Sequence, residues 1–325
     1  MYNTIYHNQP LNDKTILVVG GAGFIGSHIT EYLLKHGAKV VVLDNLSTGF
    51  IENIELFSNN PNFIFIKGDI SDFETCKKAC EGIDIICHQA ALGAVPRSVA
   101  HPELTTLHNV TGFVNMATAA RDAGIKRFVY ASSSSVYGDD TTLPKVEHRI
   151  GKPLSPYAIT KLVNEIYAEN FAQLYGMTFI GFRYFNVFGP RQSPRGTYAA
   201  VIPLFIEACV KNETCFINGD GSQTRDFTFV ENVVQFNVKA MLTDNPDALN
   251  QVYNVGCGEN ITVNELFEGI KQRCNSSSNV QHREPRKGDV PHSLDDISKS
   301  QELLGYDPLF KMNEGLDITV KSFLK

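Results

Sequence analysis

Along the first half of the chain, short apolar runs alternate with longer stretches in which apolar residues recur every three or four positions. The runs at 15–19, 40–43, 63–66, 83–87, 128–131 and 179–182 are short, bounded by polar or turn-forming residues, and predict buried strands. Between them, 25–35 (followed by Gly37), 105–123 and 157–175 have the spacing and length of helices. Strand and helix in alternation predict a doubly wound parallel sheet. After Arg183 the pattern becomes irregular, with Pro190, Pro194, Gly196, Gly219 and Gly221 punctuating shorter elements. A second, smaller mixed α/β lobe is expected there, so that residues 1–185 make the first domain and 186–325 mainly the second. The run 251–255 reads as one more buried strand, which predicts that 226–256 returns to the first sheet.

Composition narrows the class. A chain of 325 residues suits two lobes, and no apolar run approaches the ~18 residues of a membrane span. Residues 1–14 are polar and lack the apolar centre of a signal peptide, so a cytoplasmic protein is expected, without membrane contact. A net charge of −6 supplies no basic field for nucleic acid, and an anionic ligand must be held by local groups. Seven cysteines, an odd number, point to reduced thiols. Cys76 and Cys80 share a helix face but lack paired metal-ligand spacing; they read as small buried apolar residues, and no metal site is expected.

The first run leads directly into Gly20-Gly21-Ala22-Gly23-Phe24-Ile25-Gly26, with glycines at 20, 23 and 26 where the chain turns and a helix begins. Such a loop lets backbone N–H groups approach a pyrophosphate, while the helix start supplies partial positive charge. Asp44 ends the second strand 18 residues after Gly26, placed to accept the hydroxyls of an adenosine ribose. The following Asn45-Leu46-Ser47-Thr48-Gly49 contains no Arg or Lys to meet a 2′-phosphate, so NAD is favoured over NADP. This is the context of a Rossmann-type sheet. Asp69 and Ile70 are placed to flank the adenine, and Ala90 and Ala91 leave room after the fourth strand. Asn109 has two readings, a locally bonded helix side chain or a cofactor contact.

Ser155-Pro156-Tyr157-Ala158-Ile159-Thr160-Lys161 has a capping serine and a first-turn proline, and puts Tyr157 and Lys161 on one helix face. An ammonium beside a phenol is expected to lower its pKa, making Tyr157 a general base. Ser132-Ser133-Ser134-Ser135 ends the fifth strand, where ligands of such sheets bind, and a hydroxyl there can hold a substrate oxygen.

Together with Arg183-Tyr184-Phe185-Asn186, Arg225-Asp226-Phe227 and Arg286-Lys287-Gly288-Asp289, these motifs resemble the extended short-chain dehydrogenase/reductase family over nearly the whole chain. Within it the UDP-sugar 4-epimerases are most similar, in particular the UDP-N-acetylglucosamine 4-epimerases of bacterial surface-polysaccharide pathways, which share the polar N-terminal extension and Ala199-Ala200-Val201. The resemblance implies catalysis by Tyr157, Lys161 and Ser133 through transient oxidation at C4. It implies that Tyr184 joins the cofactor contacts, that Asn186, Arg225 and Arg286 face the substrate diphosphate, and that Asp289 meets the uridine ribose. Ser133, Ser134, Ser135, Ala200, Val201 and Ile217 would complete the sugar-nucleotide site, in a homodimer. Relatives that dehydrate or decarboxylate carry an acid where this chain has only hydroxyls, and a silent NAD-sensing protein would not need Tyr157, Lys161 and Ser133 together. Many galactose-type relatives carry Lys in place of Gly93. Ser293 stands where galactose-restricted relatives have Tyr, so it either leaves room for an N-acetyl group or caps a helix over 294–304. Arg191 and Arg195 lie near the sugar loop and leave a C6 carboxylate substrate open, beside UDP-glucose.

Overall fold

The computed structural model describes residues 1–195, 199–284 and 292–324. Seven strands form one parallel sheet: β1 (Thr15–Val19), β2 (Lys39–Asp44), β3 (Phe63–Lys67), β4 (Ile85–His88), β5 (Arg127–Ala131), β6 (Thr178–Tyr184) and β7 (Gln251–Val255). Their spatial order is β7-β6-β5-β4-β1-β2-β3. Every run expected to be a strand is one, because a parallel sheet covered on both faces needs apolar side chains at nearly every position. Alternate residues feed opposite cores. Ile16, Val18, Val40 and Val42 pack on one face of the sheet and Leu17, Val19, Val41 and Leu43 on the other. The expected return of the chain is seen in β7, which lies at the sheet edge with Val255 opposite Tyr184.

The order reverses between β1 and β4, both of which end at the same crevice, the usual ligand position in open α/β sheets. Helix α1 (Phe24–Lys35) follows β1 and α2 (Pro156–Tyr175) precedes β6; α3 (Val230–Leu242) precedes β7. Helix α1 packs against α3. Ser155 caps α2 as its sequence predicts, accepting from the Ala158 N–H at 3.1 Å, with Pro156 in the first turn. The helix expected over 105–123 is interrupted. Pro102–Thr106 runs into a wider π turn, Leu107–Thr111, before Gly112–Asp122 resumes α geometry. Six of the seven thiols are buried, in keeping with their reading as small apolar residues.

The second core gathers Ile202, Phe205, Ile206, Phe229, Leu266 and Leu316. Around it lie the helices Val201–Lys211, Val263–Arg273 and Met312–Phe323, with the parallel strand pair Cys215–Asn218 and Val280–Arg283. Two expectations fail here. Ile217 is 1 % exposed inside this core, since inward positions alternate along its strand, and among the described residues it lines neither the cleft between β1 and β4 nor the smaller hollow around Arg225. The helix expected over 294–304 is confined to Ser298–Leu304, because Asp295 is buried in a bridge to Lys145 and holds the preceding chain extended.

Candidate cofactor and active-site cleft

At the crevice between β1 and β4 opens a cleft of about 780 Å³. The glycine loop forms its floor. A Cβ on Gly26 would lie 2.2 Å from the Gly20 carbonyl oxygen, and one on Gly20 only 2.7 Å from the Ala90 nitrogen, with Gly20 at φ +80°. Loop, helix and β4 therefore meet more closely than side chains allow. No side chain caps the start of α1, so its first N–H groups are left for an anion. Asp44 accepts from the Ala22 N–H at 3.0 Å and the Leu46 N–H at 2.8 Å, which pins the carboxylate at the wall. Burial raises its pKa, and the backbone N–H groups oppose that rise. Asn45, Ser47, Thr48, Gly49, Ile70, Ala90 and Ala91 line the same wall. A tight-turned, uncapped anion cradle with a carboxylate beyond it fits a dinucleotide.

Asp69 and Asn109 stand behind the cleft. Asp69 accepts from the Asn45 amide at 2.7 Å and the Ser71 N–H at 2.8 Å. Burial pushes its pKa up, but these bonds and nearby His108 outweigh it and hold the carboxyl below its usual value. Asn109, within the π turn, receives the Leu92 N–H at 2.7 Å and donates to Leu92 O and to Thr160 Oγ1, both at 3.2 Å. Of its two readings the local one holds: it ties the loop after β4 to α2 and does not contact the cleft.

Ser133, Tyr157 and Lys161 converge on the far side of the cleft. Lys161 is 2 % exposed, donates to Ala131 O at 2.7 Å, and lies 5.9 Å from the centre of the Tyr157 ring. Burial lowers its pKa to about 8, against an upward pull from Glu165. Tyr157 departs from expectation: burial raises its pKa, and the group that draws it down is the Ser133 hydroxyl, not the ammonium. Spacing put the two side chains on one face, but their common burial disfavours both charges. Behind them, Ser132 donates to Glu165 at 2.5 Å, and Arg183 grips the same carboxylate through two nitrogens at 3.0 and 2.8 Å. Ser134 opens a short turn, the Ser135 N–H donates to Ser133 Oγ at 3.2 Å, and neither residue lines the cleft.

Tyr184 lines the cleft while donating to Gln89 at 3.0 Å and accepting from Asn237 at 2.9 Å. Asn186 and Ala200 line the cleft, whereas Val201 begins the next helix and packs toward the second core. Arg225 sits apart, in a smaller hollow of about 260 Å³ with Phe227, Glu259 and Met312. Ser293 neither caps a helix nor lines the main cleft; its N–H donates to Thr224 O at 3.1 Å and its hydroxyl receives the Asp226 N–H at 3.2 Å. The expected contacts Arg286 and Asp289 lie outside the described residues.

Gln89, Arg97, His108 and Gln192 also line the cleft and were not anticipated. Arg97 donates to Gly93 O at 3.3 Å, so the wall that is bare at Gly93 carries a guanidinium from one turn further on. Its signal, a basic residue just past the end of β4, is visible only once the short helix Val95–Ala100 is recognised. Of Arg191 and Arg195, Arg195 lines the cleft, but Arg191 is paired with Glu31.

A seven-stranded Rossmann-type sheet with a dinucleotide cradle beside Ser, Tyr and Lys defines a nicotinamide-dependent enzyme class, and the sequence comparison agrees. Residues 16–256 match the model of the NAD dependent epimerase/dehydratase family, and the chain belongs to that family, with NAD as its cofactor. It is 38 % identical over 309 residues to the UDP-glucose 4-epimerase of Mycolicibacterium smegmatis, covering 94 % of this chain and 97 % of the other. Among solved structures it is similar to UDP-glucose 4-epimerase of Thermotoga maritima with UDP-glucose, at TM-score 0.90 and 37 % identity, over 95 % of this chain and 98 % of that one. It also resembles UDP-N-acetylglucosamine 4-epimerase of Methanobrevibacter ruminantium in complex with UDP-N-acetylmuramic acid, at TM-score 0.91 and 39 % identity, over 96 % and 99 %.

Proposed function

We propose that the protein is an NAD-dependent UDP-sugar 4-epimerase whose preferred substrate is UDP-N-acetylglucosamine, interconverted with UDP-N-acetylgalactosamine. The observation that carries the reading is the convergence of Ser133, Tyr157 and Lys161 on the cleft that holds the glycine cradle and Asp44. Residues 1–185, with the returning strand, would hold NAD, and the second lobe most of the UDP-sugar.

The glycine loop 20–26 and Asp44 would hold NAD, which when bound would supply reversible hydride chemistry at sugar C4. Tyr157 accepts the O4 proton as the ketone forms and gives it back as the ketone is reduced, so no external oxidant is consumed. Ser133 bonds the phenol and biases it toward phenolate. Lys161, anchored on Ala131 O, holds a cation behind the ring. Elimination or decarboxylation needs an acid in the serine loop. The nearby carboxylate, Glu165, is occupied by Arg183 and Ser132 and is not among the residues lining the cleft, which favours epimerisation. Asn186, Arg225, Arg286 and Asp289 are assigned to the UDP moiety, and Arg97 and Arg195 add positive charge to the cleft wall of an acidic protein.

The N-acetyl preference is supported by the small residues Ser193, Ala199 and Ala200 that line the cleft. Arg195 supports a second reading, a C6 carboxylate substrate, while Arg191 is committed to Glu31. Incubation with UDP-N-acetylglucosamine, UDP-glucose and the C6-acid forms, with epimers resolved by NMR, ranks them. Fastest turnover of a C6 acid or of UDP-glucose would displace the proposed substrate. A homodimer is proposed through α2, whose outer face exposes Ile159, Ile166 and Leu174 at 51, 58 and 64 % beside Leu104 and Leu107. Ile166→Arg should yield monomers in sedimentation experiments.

A further inference from the structure

Residues 2–11 form no helix or strand, yet Tyr2, Tyr6 and Leu11 are 0, 7 and 1 % exposed. Tyr6 stacks on Tyr32 of α1 at 5.2 Å, and its hydroxyl donates to Glu231 in the first turn of α3 at 3.0 Å. The same carboxylate receives the Tyr2 N–H at 3.3 Å. Tyr2 has φ +65°, a left-handed conformation costly for an aromatic residue, and retains it because its phenol is seated in the core.

That phenol makes a directed connection. Tyr2 Oη lies 2.5 Å from His28 Nδ1, and His28 Nε2 lies 2.8 Å from the Pro190 carbonyl oxygen. A carbonyl can only accept, so Nε2 carries the proton, Nδ1 is the acceptor, and Tyr2 is the donor. Burial holds His28 neutral, its pKa lowered to about 3. One turn along α1, Glu31 pairs with Arg191, the next residue of the same loop and itself at φ +64°. Beyond these anchors the loop folds on itself, the Gln192 N–H donating to Gly189 O at 3.3 Å and its side-chain amide to Val187 O at 3.0 Å. It then presents Gln192, Ser193 and Arg195 to the cleft. Helix α1 thus bears the dinucleotide cradle on its first turn and the anchors of the opposite wall on its second.

We propose that Tyr2 and His28 are positioning residues, through which the N-terminal segment braces the 189–195 loop against the cofactor helix and sets the geometry of the sugar side of the cleft. That this wall meets a sugar rests on the function proposed above; the brace itself does not. Removing the Tyr2 hydroxyl leaves Nδ1 buried without a donor, and the ring then keeps its bond to Pro190 only at a penalty.

The test compares full-length wild-type protein, Tyr2→Phe and Leu11→Ala by amide hydrogen exchange and kinetics. In Tyr2→Phe, exchange across 187–195 should accelerate about tenfold, as expected for one lost buried hydrogen bond. The KM for the UDP-sugar should rise several-fold, with kcat and bound NAD nearly unchanged. Leu11→Ala opens a cavity in the same segment and lowers the melting temperature, but should move neither 187–195 exchange nor KM. Wild-type exchange over 187–195 in Tyr2→Phe, or an equal response to Leu11→Ala, overturns the brace. Accelerated exchange in a protein that turns over no UDP-sugar upholds the brace and overturns the proposed function instead.

Discussion

Replacing Lys161 by methionine should destroy activity yet leave the protein at neutral pH no less stable. The ammonium is 2 % exposed, and burial depresses its pKa from 10.5 to about 8. At about 1.4 kcal/mol for each tenfold change, that depression corresponds to roughly 3 kcal/mol of destabilisation carried by the wild type below pH 8. Methionine fills similar space without charge and removes this cost. Its own penalty is the Ala131 carbonyl left without the 2.7 Å donor, about 1–3 kcal/mol. The two nearly cancel, leaving the variant about 1 kcal/mol more stable at pH 7. The pH dependence has a definite sign. Between pH 8 and about 10.4 the unfolded wild type binds more protons than the folded one, so wild-type stability gains on the variant as pH rises. Urea unfolding of both proteins, stripped of cofactor, at pH 7 and pH 10 gives a double difference from which all other titrations cancel. The variant's margin should fall by a large part of that 3 kcal/mol. A margin that is flat, or that grows with pH, would refute a buried, charged Lys161.

Tyr157→Phe should cut turnover by about 100- to 10,000-fold, the usual range for a general acid–base group, while bound NAD and the melting temperature stay near wild type; an active variant would move the proton-transfer role elsewhere. Gly26→Ala would put a methyl carbon 2.2 Å from the Gly20 carbonyl oxygen, so wild-type protein purified without added cofactor should yield NAD in the acid extract and the variant should yield little. Ser293→Tyr should abolish epimerisation of UDP-N-acetylglucosamine and spare UDP-glucose. Equal loss with both would assign Ser293 to holding the Asp226 backbone, which its hydroxyl also does.

What could be read without coordinates was whatever depends on local pattern. The strand runs, the Gly20–Gly26 turn, Asp44 and the Ser155-Pro156 start of α2 all follow from backbone requirements of single elements, and each appears where its residues place it. Features decided by tertiary packing were not legible. Ile217 resembled a pocket residue until its strand was seen to alternate into the second core. Ser293 had two readings, a small pocket residue or a helix cap, and the cap fails because the buried Asp295 delays the helix to Ser298. The i, i+4 spacing of Tyr157 and Lys161 gave their shared face correctly but not their depth, which raises one pKa and lowers the other. The Tyr2–His28–Pro190 connection joins segments far apart in sequence, and no local motif announces it.

The central claim is that the hydride lost from C4 on oxidation is the one returned to it on reduction, without leaving the cleft. UDP-N-acetylglucosamine deuterated at C4, converted by purified protein without added NAD, tests it by mass spectrometry and NMR of the product. Retention of the deuterium at C4 of UDP-N-acetylgalactosamine is the predicted result. Loss of the label to solvent, or conversion that stops after one equivalent unless NAD is supplied, would contradict it.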